Sequence, residues 1–197
     1  MAMPAIRRRW TTADVRALTS EERAWPRYEF IAGELLVTPA PGLIHQIATT
    51  EVWTVLEAYL AREPIGLAVT SPSDLELKPG TITQPDVFVI PAETRIMADV
   101  LQWPDVKSLL LAVEVLSPSS LRADRVKKRD FYLDNGAEEY WIVDLDAQLF
   151  ERWRPAQETP ELLRDRFEWA PRGGEPLVMD IPALFARIDR KMRMFVR

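Results

Sequence analysis

Hydrophobic positions along the chain fall into two periods. Ile44, Ile47, Ala48, Val52, Val55 and Tyr59 recur at three- and four-residue spacing and predict an amphipathic helix over Leu43 to Ala61. Thr11 or Thr12 can cap an earlier helix running to about Trp25. Between them, YEFIAGELLVTP (28–39) reads as two short strands about Gly33. Strand-like segments follow at 66–70, 73–77 and 85–90, and then an irregular stretch, 91–108, broken by Pro91 and Pro104. Leu110 to Leu116 is a nearly continuous apolar run, as expected of a strand buried on both faces. Pro118 with Ser117, Ser119 and Ser120 supplies a turn and cap, and a helix is predicted from about Leu121 to Asn135, stopped by Gly136. EYWIVD (139–144) and LFERWR (149–154) form a hairpin pattern, and the tail from 160 to 197 predicts more strand with a short helical turn near Ala183–Phe185. This order predicts a mixed sheet flanked by helices, an α/β or α+β sandwich.

Two residues break the pattern. Glu114 sits inside the apolar strand, and an ionised glutamate is rarely buried without a partner. Either a cation reaches it, or the strand end is exposed there, or the carboxyl holds a proton. The second is Lys128. At about 100° per residue with Asp124 as zero, Leu121, Phe131 and Tyr132 define a packed arc centred near 40°, and Lys128 falls at about 40°. Lys127 and Arg129 fall outside the arc. Lys128 can snorkel to water. It can also meet Glu114, because its helix follows the Glu114 strand after a short turn. A third polar residue, Asp86, opens the strand QPDVFVI (84–90) directly after Pro85, where a turn-terminating role is the alternative.

Composition narrows the chemistry. The 197 residues are 47% hydrophobic and 28% charged, which suits one globular domain. No apolar run approaches a membrane span, and MAMPAIRRRW lacks the apolar core of a signal peptide, so a cytoplasmic protein without a membrane partner is expected. The absence of cysteine removes disulfides, thiolate metal sites and cysteine catalysis, and the single histidine, His45, rules out multi-histidine zinc sites. What remains is chemistry based on carboxylates, lysine and an oxygen-ligated metal. Two carboxylates at neighbouring strand ends can hold a hard divalent cation that activates water, and a lysine can orient that water or stabilise the transition state. The net charge of −5 argues against strong general affinity for nucleic acid, but basic clusters stand at Arg7–Arg9 and over 122–129.

Pro85-Asp86 followed 28 residues later by Glu114 resembles the PD-(D/E)XK pattern of restriction endonuclease-like nucleases. YEFIAGEL, His45 opening a helix, QPDVFVI, VEVLSPSS, DRVKKRDFY (124–132) and GAEEYWIVD (136–144), in this order, resemble the Uma-type restriction endonuclease family over about residues 25 to 155. In the wider superfamily the lysine follows the acid by two positions, but position 116 is Leu here. The resemblance implies that the lysine has moved to the following helix, at Lys128. It implies a restriction endonuclease-like α/β sandwich in a single domain, 1–197, with a central mixed sheet. It further implies a Mg²⁺- or Mn²⁺-dependent nuclease, a DNA endonuclease, with Asp86 and Glu114 as metal ligands, Lys128 assisting the attacking water, and Glu29 as a further acidic site residue or a surface strand residue. A homodimer is the expected assembly. His45 is expected to cap or pack near its helix start, Tyr132 to belong to the core, and Ser117 and Ser119 to be turn and cap residues. The alternatives are a nucleic-acid-binding or regulatory module that cleaves little, and a structural protein whose Glu114 and Lys128 form only a buried pair; metal binding separates them.

Overall fold

Thr11 and Asp14 begin the first helix by satisfying each other: Asp14 N donates to Thr11 Oγ1 at 3.2 Å and Thr11 N to Asp14 Oδ2 at 3.0 Å. The computed structural model describes residues 10–19, 26–94, 103–117 and 123–195. Helix α1 spans Thr12–Thr19, and the remainder of the helix expected as far as Trp25 lies outside the described residues. Strands β1 (Arg27–Ile31) and β2 (Glu34–Thr38) pair antiparallel across Ala32 and Gly33. Both turn residues have positive φ, 51° and 80°, as a two-residue hairpin turn of the right twist requires.

The central sheet has six strands in the order β3 (Gly66–Thr70), β4 (Val87–Pro91), β5 (Leu111–Val115), β6 (Tyr140–Asp144), β7 (Leu149–Trp153) and β8 (Glu161–Leu163). Only β5 and β6 run parallel, so the sheet is mixed. The expected strand at 73–77 makes a single bridge, Leu75 to Thr83. A separate hairpin, β9 (Arg166–Trp169) with β10 (Leu177–Asp180), follows.

Alternation along β5 divides the core in two. Leu111, Val113 and Val115 face α2 (Leu43–Leu60) and α4 (Ile181–Arg193) in one layer, with Val52, Leu56, Trp141 and Leu184. Ala112 and Leu116 face the opposite layer, which holds Phe88, Phe131, Tyr132, Tyr140 and Ile142. That layer is covered by a π-helical turn, Ala123–Lys128, continuing into α3 (Arg129–Asp134). The regular helix predicted over 121–135 is therefore half π-turn, with its first two residues outside the described set. The tail also departs from expectation. In place of a short helical turn, α4 has thirteen residues, because Asp180 caps it by accepting from Ala183 N at 2.9 Å, Pro182 sits in its first turn, and Arg190, Lys191 and Arg193 complement its C-terminal end.

Candidate active site

Asp86 stands at a bend immediately before β4. Continuing the β4–β5 register of Val87 with Val113 by one residue sets Asp86 opposite Glu114. Directly opposed residues in an antiparallel pair point to the same face. The geometry agrees, since Val115 N donates to Asp86 Oδ2 at 3.0 Å. Glu114 shares the face of Ala112 and Leu116, the face that α3 covers. From that helix Lys128 reaches down with its Nζ 2.8 Å from Glu29 Oε2, 3.2 Å from Glu114 Oε1 and 3.4 Å from Asp124 Oδ1. Glu29 arrives from β1 and is fixed at its other oxygen, which accepts from Gln84 N at 2.9 Å. All four expected site residues thus occupy one cluster, each no more than 6% exposed.

Sequence reasoning missed three neighbours. Asp124 lies one turn before Lys128 on the same inward side, and served only as the zero of the helical wheel. Arg27 precedes Glu29 by two along β1, so strand alternation turns both inward; its Nη1 donates to Asp86 Oδ1 at 3.2 Å. His45, expected to cap or pack near its helix start with a catalytic role as the lesser alternative, has its Nε2 3.1 Å from Asp86 Oδ2. Tyr132 is core, as expected, stacked on Tyr140 at 5.5 Å, and the Tyr140 hydroxyl donates to the Asp124 carbonyl at 3.0 Å. Ser117 borders a cleft, and Ser119 lies outside the described residues.

The electrostatics of the two strand-end carboxylates diverge. Burial acts to raise Asp86, but the hydrogen bond and charge of His45, the Lys128 ammonium and the Val115 amide outweigh it and hold the group down at about 2. Glu114 goes the other way. Burial drives its carboxyl well above the ordinary range, Lys128 opposes this, and the charges of Asp86, Asp124 and Glu29 push it further up. Burial would lower Lys128, but Glu114, Glu29 and Asp124 together raise it well above a free lysine, so it stays an ammonium. Among the described residues, the carboxyl groups of Glu29, Asp86, Glu114 and Asp124 thus share a buried space with Lys128, Arg27 and His45.

A divalent cation bound among such carboxyl groups would favour their ionised forms. Among the described residues no group of three or more His, Asp or Glu side chains converges as a ready-made metal site. Magnesium, however, often takes only one or two carboxylates and completes its shell with water. Asp86 and Glu114, oxygen donors opposed across two strands, fit that requirement. Beside them a cleft of about 520 Å³ is walled by Ile44, His45, Leu116, Ser117, Arg125 and Asp144, and His45 is the side chain common to the cleft and the Asp86 environment.

A mixed six-stranded sheet flanked by helices, with acids at the adjoining ends of two neighbouring strands, is the restriction endonuclease-like sandwich. Residues 13–179 match the model of the Uma2 family, described as "Putative restriction endonuclease", and the chain belongs to that family. The crystal structure of a "putative nuclease belonging to DUF820" from Anabaena variabilis superposes with a TM-score of 0.72 at 23% identity, covering 91% of this chain and 99% of that one. No curated protein matches the chain.

Proposed function

We propose that the protein is a Mg²⁺- or Mn²⁺-dependent nuclease that hydrolyses phosphodiester bonds in DNA, with Asp86 and Glu114 as metal ligands. The observation that carries this reading is the convergence of Lys128 with Glu29 and Glu114 in a buried site beside Asp86. Bound there, the metal would lower the pKa of a water and offset charge on a phosphoryl oxygen. The chain's own residues do the rest. Asp86 stays ionised beside His45 and Arg27 and is ready to serve as a ligand. Glu29 and Asp124 hold Lys128 protonated and aimed at Glu114, so its ammonium is in position to stabilise charge that develops as the ester bond breaks. His45 stands where the cleft meets Asp86, and a phosphodiester strand lying in the cleft would reach the carboxylates past it.

Metal linkage tests this. Mg²⁺ or Mn²⁺ should raise the melting temperature of the wild type by mass action on the folded state. The same ions should support cleavage of plasmid or linear DNA. A wild type that neither responds to the ions nor cuts any duplex, single strand or RNA would remove the reading.

One observation favours a second reading, a nucleic-acid-binding module that cleaves little. The Asp86 carboxylate is engaged by Arg27, His45 and the Val115 amide, and a closed set of this kind can persist without metal. Nucleic-acid binding without metal-dependent cleavage is its signature.

A further inference from the structure

Tyr132 stands one helical turn after Lys128, and both side chains are buried on the inward side of their helix. The Tyr132 ring belongs to the core, stacked on Tyr140 at 5.5 Å and edge-on to Phe131 at 5.8 Å. Its hydroxyl is another matter. Buried with the ring, it completes no hydrogen bond with a described residue, and the Thr83 hydroxyl, close enough to act on it, is likewise unpaired. Tyr140 shows the contrast, since its equally buried hydroxyl donates to the Asp124 carbonyl at 3.0 Å. An unmade hydrogen bond in a dry interior costs stability, and phenylalanine would fill the same space without that cost. Packing explains the ring and not the oxygen.

The surroundings of the oxygen suggest its use. Burial, then the charges of Glu114 and Glu29, hold the Tyr132 phenol well above its ordinary value against the opposing pull of Lys128 and Thr83. Among the charged groups, Glu114 acts on it most strongly. The phenol therefore keeps its proton close to Glu114, as a donor without an acceptor. Glu114 is meanwhile served by Lys128, whose three N–H groups have three carboxyl oxygens within 3.4 Å, on Glu29, Glu114 and Asp124. With all three taken, the ammonium cannot act on a phosphodiester without turning one N–H away. The contact to Glu114, the expected metal ligand, is 3.2 Å, looser than the 2.8 Å contact to Glu29. Once that N–H turns, a buried carboxyl oxygen has lost its donor.

We propose that the Tyr132 hydroxyl is a reserve donor: when Lys128 turns toward the ester, Tyr132 donates to the Glu114 oxygen that Lys128 leaves. An interaction made only in the reacting state raises turnover without tightening substrate binding. The idle hydroxyl of the free protein is the counterpart of that gain, a loss of stability located where activity needs it. Tyr132 acts through Lys128 and Glu114, which makes it a positioning residue. Its effect on turnover rests on the nuclease reading, whereas the exchange of donors at Glu114 does not.

Two measurements on the full chain test this. In thermal melts without metal, Y132F should melt no lower than the wild type, whereas Y140F, which deletes a paired hydroxyl, should melt lower by about 2 to 4 °C. K128M takes the ammonium from Glu114 permanently, so in that background the Tyr132 hydroxyl is already in use. K128M/Y132F should therefore melt about 2 to 4 °C below K128M, and the sign of the Tyr132→Phe effect reverses between the two backgrounds. Y132F melting below the wild type, or no loss on adding Y132F to K128M, would overturn the proposal. In cleavage with Mg²⁺, Y132F should lower kcat about tenfold, the worth of one hydrogen bond to a charged group, and leave KM unchanged. Equal kcat in Y132F and the wild type would overturn the proposal and leave the nuclease reading intact. A wild type that cuts nothing, with the reversal of sign seen in the melts, removes the nuclease reading and leaves the donor exchange standing.

Discussion

Lys128 is one ammonium among three carboxylates, and its role decides whether the site is catalytic. If it stabilises charge that appears only as the phosphodiester breaks, its loss should depress turnover far more than binding. Methionine keeps the unbranched stem and about the volume that fills the space between Glu29 and Glu114. Lys128→Met should fold, bind DNA within about tenfold of wild type, and lose cleavage by about two orders of magnitude. Equal cleavage by the two proteins would take Lys128 out of the chemistry. Glu114 offers the complementary probe. Its carboxyl is pushed well above the ordinary range by burial and by three neighbouring acids, so a neutral isostere mimics the state it already favours. Glu114→Gln should be as stable as the metal-free wild type or more so, while its melting temperature no longer responds to Mg²⁺. A retained response would place the ion elsewhere.

At the scale of elements, the π-turn and the α2–α4 contact do the positioning. A π-turn spreads one helical turn over more residues, and this one turns both Asp124 and Lys128 inward above the sheet while Lys127 stays outside, paired with Glu34. The α2–α4 contact is set by Glu51. Burial would raise this carboxyl, but Lys191 and Arg187 outweigh burial and lower it. A carboxylate lowered in the folded state contributes stability above its unfolded value, about 4.3, and that contribution is lost as pH falls through the folded value. Glu51→Gln should therefore be less stable than wild type at pH 7, by about 1 kcal/mol given that Arg187 and Lys191 still reach water. The gap should close in urea titrations carried out at a pH well below the ordinary carboxylate range. A gap that persists in acid would show that packing, not charge, makes the contact.

For the whole molecule, the described residues hold one such cluster of carboxyl groups around a lysine. Breaking both strands of a duplex calls for two sites, so a nuclease of this kind is expected to act as a homodimer. Sedimentation should give twice the 22.6 kDa of one chain, and a monomer that still linearises plasmid in one encounter would rule out that pairing. No helix among the described residues is long and apolar enough to cross a membrane, and the cytoplasmic setting expected from the sequence would be checked by fractionation of the native cells. The acidic surface makes DNA binding depend on local cationic features, and binding should weaken steeply between about 50 and 200 mM salt.

Periodicity by itself determined most of the elements that carry the site. The β1–β2 hairpin, α2, the apolar β5 strand and the β6–β7 pair follow from short-range alternation and turn residues, whose physics is local. The anomalies at Glu114 and Lys128 were equally legible, because a charge inside an apolar pattern demands a partner wherever the chain folds. Tertiary structure decided what that partner set is. Arg27, His45 and Asp124 join the cluster through the docking of β1, the entry of α2 and a π-turn, none of which leaves a mark in hydrophobic spacing. The length of α4 and its seat on α2 were likewise invisible, since they depend on Asp180 capping and on Glu51 finding Arg187 and Lys191 from 136 and 140 positions away along the chain. Local pattern selects elements; the burial of charge, which must be balanced by groups from distant segments, selects the site.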